Sequence, residues 1–168
     1  MPEYYFNTFD EVTSQFLIDK NIKFVFTDVD NTLEPYENAH PGQKVIKWLE
    51  DLSKAGIQVA IISNNNGDRI QEFNKDIQLL SFYKAKKPRK LYLKKAMKIL
   101  GAEKDNSIFL GDQIFTDVLA AHNAGIDAIL VNPIKDKTDI LTKTKRLFEK
   151  PIIKRFRKQT KKQGRKEK

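Results

Sequence analysis

The stretch Phe24-Val25-Phe26-Thr27-Asp28-Val29-Asp30 runs apolar and then turns acidic. A strand facing water would alternate polar and apolar residues throughout, so two acids at the end of the run ask for a chemical reason. In extended backbone, residues two apart point the same way, so Asp28 and Asp30 can face one cleft. One carboxylate of such a pair can attack phosphorus while the other handles the leaving-group proton. Asp30, as the acid, must carry a proton when substrate binds, which crowding against Asp28 would favour. Asp112, brought close to Asp28, would complete an oxygen-donor site for Mg²⁺. Lys87 and Mg²⁺ would supply the positive charge without which an anionic nucleophile and a phosphate repel each other. Ser63 and the backbone N–H groups after it would bind the remaining phosphoryl oxygens.

These residues act together only if one rim carries them. Four apolar runs read as doubly covered strands of a parallel sheet, at 22–26, 57–62, 107–110 and 127–131, with a short one near 81–85. Asp28, Ser63, Lys87 and Asp112 each follow one such run, and open α/β sheets bind ligands beyond the carboxyl ends of their strands. Amphipathic stretches at 42–54, 89–100 and 114–124 read as helices, and Gly56, Gly101 and Gly125 stand where a helix end favours positive φ. Helices are also expected over about 9–19 and 138–149. The fold class is α/β, a three-layer Rossmannoid arrangement around a central parallel sheet.

The 168 residues suit one domain, and 40% hydrophobic with 32% charged residues is a globular balance. The absence of cysteine excludes disulfides and thiolate metal sites. Net charge is +9, yet residues 150–168 hold ten of the 31 Lys/Arg and one of the 22 Asp/Glu, so the remainder is neutral. The expected organisation is a domain over 1–149, with its motif-bearing core at about 22–135, and a basic tail over 150–168. Ile152, Ile153 and Phe156 at helical spacing suit an anionic membrane, and the basic residues suit RNA or the ribosome equally. The N-terminus lacks a basic start and an apolar stretch, and no run approaches a membrane-spanning length. A cytoplasmic location is expected, with a peripheral place at the membrane as its variant.

"DVDNTL", the Ser of "IISNN", the Lys of "KKP" and "GDQIFTD" resemble, in order and spacing, the four motifs of the haloacid dehalogenase (HAD) superfamily of phosphatases. The resemblance implies Asp28 as a nucleophile forming an aspartyl-phosphate and Asp30 as general acid and then base. It implies Thr32, Ser63, Asn64 and Lys87 as phosphate and intermediate binders, with Lys86 the alternative to Lys87. For Mg²⁺ it implies Asp28, the Asp30 main-chain carbonyl and Asp112, with Asp117 in the second shell. "DVDNTLEP", "SNNN", "AKKP" and "ILVNPI" look like the YqeG-type subgroup of capless subclass III, which itself resembles phosphatidylglycerophosphate phosphatases. Only 30 residues separate Thr32 from Ser63 and 23 separate Ser63 from Lys87, so no cap domain fits either gap. An open site suits a bulky substrate: an anionic lipid headgroup, or alternatively a nucleic acid or protein phosphate.

Blander assignments cover the rest. His40 and His122 read as structural or exposed, Trp48, Phe109 and Phe115 as core, and Asn64 to Asn66 as a turn. A receiver-type signalling domain also sets acids, a hydroxyl and a lysine on a parallel sheet. Its acceptor Asp follows a middle strand, whereas here the acidic pair follows the first of the expected strands. A nucleic-acid or ribosome-associated protein that keeps the HAD fold as a scaffold is the remaining competitor.

Overall fold

The structure, a computed structural model, describes residues 1–135, which form one compact unit. The helix expected over 138–149 and the basic tail at 150–168 lie outside the described residues. A six-stranded, wholly parallel sheet forms the middle layer, in the order β1-β6-β5-β2-β3-β4. The strands are β1 (Tyr4–Phe6), β2 (Phe24–Thr27), β3 (Gln58–Ile62), β4 (Leu80–Phe82), β5 (Ser107–Gly111) and β6 (Asp127–Val131). The sequence foretold all but β1, a strand of three half-buried residues at the sheet edge.

Alternation along the strands sorts the core into two faces. Val25, Val59, Ile61, Ile108, Leu110 and Ile129 share one face, and they cluster with Leu17, Leu49, Leu52, Ile70 and Phe73. Those partners come from α1 (Ser14–Asp19), α2 (Gln43–Lys54) and α3 (Gly67–Asn74). Phe24, Phe26, Ala60, Ile62, Phe109, Ala128 and Leu130 point the other way. That side is covered by α4 (Leu91–Leu100) and α5 (Leu119–Ala124), whose buried residues are Leu93, Ala96, Met97, Ala120, Ala121 and Ala124. The layering is therefore helix, sheet, helix.

Three local departures from the sequence reading have physical causes. The helix expected over 9–19 is broken into a 3₁₀ turn at Phe9–Glu11 and α1. The Val12 carbonyl is taken by the Trp48 indole N–H at 2.9 Å, and the Thr13 hydroxyl accepts the Phe16 N–H at 3.2 Å, starting a new helix there. The helix expected over 114–124 opens as a π-helical turn at Ile114–Val118, and that turn carries Asp117 inward. Phe115, expected in the core, is 39% exposed on the same turn. Gly56, Gly101 and Gly125 do occupy positive φ (75°, 67° and 80°) after α2, α4 and α5.

Between the strand ends that carry the site, the described residues hold only helices, the short β4 and turns, so no cap interrupts the core. No described helix is long and apolar enough to cross a membrane. Leu52 is fully buried whereas Leu91 is 68% exposed. Leu52→Ala should therefore lower the unfolding free energy by about 2–5 kcal/mol in urea titration. Leu91→Ala should stay within about 0.5 kcal/mol of the parent; equal effects would refute the assignment of the core face.

Candidate active site

β2 delivers Asp28 at the sheet centre. The ladder continues one residue past the strand, where the Asp28 N–H donates to the Leu110 carbonyl at 3.2 Å. Asp28 Oδ1 accepts the Val29 N–H at 2.9 Å. Residues 28–34 are buried throughout, and the chain doubles back with the Asn31 N–H donating to the Glu34 carbonyl at 2.7 Å. Glu34 closes the following loop by accepting the Gly42 N–H and the Asn38 amide, each at 2.7 Å. It stands apart from the acid cluster of Asp28, Asp112 and Asp117.

The Lys87 ammonium bridges two acids of that cluster, Asp28 and Asp117. Its Nζ is 3.2 Å from Asp28 Oδ2 and 2.8 Å from Asp117 Oδ1, and 5.3 Å above the Phe109 ring. Burial alone would pull this lysine down, but Asp117 and Asp28 outweigh it and hold the pKa above its ordinary value. Burial pushes the Asp117 carboxyl up, Lys87 opposes that, and Asp28 reinforces it. Asp117 Oδ2 accepts the Gln113 N–H at 3.0 Å. A Cβ on Gly111 would lie 2.4 Å from the Asp117 Cβ, so only glycine lets the two segments approach this closely. The Thr32 hydroxyl donates to Asp112 Oδ1 at 3.1 Å. Lys86 is exposed, whereas Lys87 is buried and its backbone is gripped by Asn64. The Asn64 amide donates to the Lys87 carbonyl at 3.1 Å and its oxygen accepts the Lys87 N–H at 2.7 Å.

One oxygen from each of Asp28, Asp112 and Asp117 lies within 4.8 Å of the others, all buried. Hard oxygen donors at this spacing fit a small divalent cation. Lys87 Nζ has three N–H groups and two carboxylate neighbours, which leaves one donor for an anionic group entering the site.

The turn after β3 supplies further parts. Ser63 is buried, and its hydroxyl accepts the Asn65 N–H at 3.2 Å. Its backbone ties the turn to β4, with the Ser63 N–H donating to Phe82 and the Ala85 N–H donating to Ser63, both at 2.9 Å. The run 64–66 is a turn, but each asparagine in it has a distinct task. Asn65 donates to Asp30 Oδ2 at 2.7 Å, and Asn66 caps α3 by accepting the Arg69 N–H at 2.9 Å. Arg69, unnoticed in the sequence, pairs with Asp30 Oδ1 through Nη2 at 3.1 Å and Nε at 3.2 Å. The expected crowding of Asp30 against Asp28 gives way to separate cationic partners. One signal was available: Asn66 as N-cap places Arg69 in the first turn of α3, beside the strand ends.

The site as a whole holds a buried carboxylate beside an ammonium, a second carboxylate with its own partners, and a hydroxyl on the facing turn. A family model described as haloacid dehalogenase-like hydrolase matches residues 4–131. The chain is 31% identical over 153 residues to the probable phosphatase YqeG of Bacillus subtilis strain 168, covering 91% of this chain and 89% of that one. The cobalt-bound deoxy-D-mannose-octulosonate 8-phosphate phosphatase of Haemophilus influenzae superposes with a TM-score of 0.55 at 23% identity, covering 68% of this chain and 80% of that one. The 3-deoxy-D-manno-octulosonate 8-phosphate phosphatase of Moraxella catarrhalis, in complex with magnesium, phosphate and sugar, gives 0.52 at 21% identity, covering 76% of each chain. At these identities the structural likeness is one of fold.

A divalent cation should stabilise the folded chain through the acid cluster. At a hundredfold excess over Kd the gain is about 2.7 kcal/mol, or roughly 5–10 °C in Tm for a chain of this size. Asp112→Asn should abolish the cation-dependent shift; a shift of equal size in that variant would place the cation elsewhere.

Proposed function

The chain belongs to the haloacid dehalogenase-like hydrolase family, and on that premise we propose that it is a phosphatase acting on a phosphomonoester with Asp28 as nucleophile. The observation that carries the reading is the Asp28–Lys87 pair: a buried carboxylate beside an ammonium that has a donor left after its two carboxylate neighbours. Asp28 Oδ2 attacks phosphorus, the bond from phosphorus to the leaving oxygen breaks, and Asp30 donates a proton to that oxygen. Asp30 then takes a proton from the water that attacks the aspartyl-phosphate, which releases inorganic phosphate and regenerates Asp28. Lys87 neutralises charge on the transferring group, with the Ser63 hydroxyl and the N–H of Asn64 binding its other oxygens. Thr32 orients Asp112 through its hydroxyl.

Asp28, the Asp30 carbonyl and Asp112 would hold the proposed cation, Mg²⁺, which would lower the repulsion between the attacking carboxylate and the phosphoryl oxygens. Asp117 already serves Lys87 and Gln113, which supports a place behind the ligands.

The finer reading is a phosphomonoester displayed on an anionic lipid surface, such as the phosphatidylglycerophosphate that the subgroup resemblance implies. Two observations support it. Residues 77–102 contain eight Lys/Arg and no acid. Seven of the eight (Lys84, Lys86, Arg89, Lys90, Lys94, Lys95 and Lys98) are exposed, and none is in an ion pair among the described residues. Exposed Tyr83, Leu91 and Ile99 lie among these cations, the mixture that an interfacial surface uses. The basic residues of 150–168, proposed as a separate tail, add to the same attraction.

Purified chain with Mg²⁺ should release phosphate from p-nitrophenyl phosphate, and Asp28→Asn should reduce turnover by about 10³-fold or more with the fold retained. Full activity in that variant would sink the nucleophile assignment. Between phosphatidylglycerophosphate in vesicles and a 5′-phosphorylated oligonucleotide, faster turnover of the lipid is expected; the reverse order would favour the nucleic-acid alternative.

A further inference from the structure

Asp30 is held far more tightly than an acid that merely borders a cleft. Its Oδ1 meets Nε and Nη2 of Arg69 at 3.2 and 3.1 Å, and its Oδ2 accepts the Asn65 amide at 2.7 Å. Arg69 is itself braced. Its Nη1 donates to the Ala39 carbonyl at 3.2 Å, and its guanidinium carbon lies 5.9 Å from the Tyr36 ring and 5.4 Å from the Phe73 ring. The arginine side chain is 10% exposed and the aspartate 4%, so water competes little for either.

On the phosphatase reading above, we infer that Arg69, assisted by Asn65, is the positioning residue that aims the Asp30 carboxyl at the leaving oxygen. One hydrogen bond to each carboxyl oxygen, from Arg69 Nε and from Asn65, with Nη2 at ion-pair distance, fixes the carboxyl plane, and such preorganisation aligns a proton donor before the substrate arrives. When the P–O bond breaks, its electron pair passes to the leaving oxygen, which takes the proton from Asp30. The carboxylate left behind is then stabilised by the guanidinium already beside it. Both positioning groups come from the turn after β3 and the first turn of α3, so the turn that carries Ser63 also orients the acid. Among the described ion pairs Arg69 meets Asp30, while Asp28 meets Lys87. Arg69 acts through Asp30.

That role separates leaving groups. An alkoxide needs a proton as it departs, while p-nitrophenolate departs without one. The test compares kcat/KM for glycerol 2-phosphate and p-nitrophenyl phosphate, a ratio that reports transfer to Asp28 and not the later hydrolysis. Arg69→Gln should lower the value for glycerol 2-phosphate by roughly 10²-fold and change that for the aryl ester only a few-fold. Asp30→Asn should show the same selectivity, and adding Arg69→Gln to it should cost nothing more, as expected of two residues acting as a unit. Arg69→Lys should recover part of the loss, and Asn65→Ala, which leaves all charges in place, should repeat the selectivity if Arg69→Gln fails to fold. Equal losses on both esters, or a full additional loss in the Asp30→Asn background, would overturn the inference alone. A parent chain that releases phosphate from neither ester would overturn the phosphatase reading and this inference with it.

Discussion

The structure depends on one buried electrostatic arrangement, the Lys87 ammonium set between Asp28 and Asp117. Charges removed from water are costly, and breaking such a group by deleting one partner typically costs about 3–5 kcal/mol, so each member constrains the others. The sheet register places Asp28 beside the end of β5, where its N–H meets the Leu110 carbonyl. Gly111 has no side chain because the Asp117 Cβ occupies that space. Asn64 spends both ends of its amide on the Lys87 backbone. These features, drawn from four separate strand ends, all serve to hold one cation among acids where a phosphoryl group can be received.

Around that arrangement the two acids of the first motif divide their roles through their partners. Asp28 faces Lys87 and the metal-compatible cluster, whereas Asp30 faces Arg69 and Asn65. Each carboxylate is thus held by its own set of neighbours. The core carries no inserted domain among the described residues, and the acid-free segment 77–102 contains Lys87 itself. The proposal of a large anionic substrate rests on what surrounds the site, while the proposed chemistry rests on its centre.

Much of this was legible in the sequence, because long apolar runs and residues at strand ends leave local signals. The four longer strands, the central helices and the positions of Asp28, Ser63, Lys87, Asp112 and Asp117 all belong to that kind. What escaped notice depends on contacts between distant segments. β1 is three residues long and owes its place to β6. The break at Val12 follows from a carbonyl claimed by Trp48, thirty-six positions away. Asn64 and Asn65 look like ordinary turn residues until their partners, Lys87 and Asp30, are known. Arg69 is one basic residue among 31 in composition and becomes distinct only through the carboxylate it meets.

The central claim is that Asp28 forms a bond to phosphorus. It is tested most directly by stopping the purified chain with acid during turnover of a phosphomonoester and locating the phosphoryl group by peptide mass spectrometry. The phosphoryl group should be found on Asp28, in the peptide containing Asp28-Val29-Asp30, and should be lost again when the quenched sample is returned to mild alkali. A phosphoryl group on any other residue, or sustained turnover with no labelled aspartate, would contradict it.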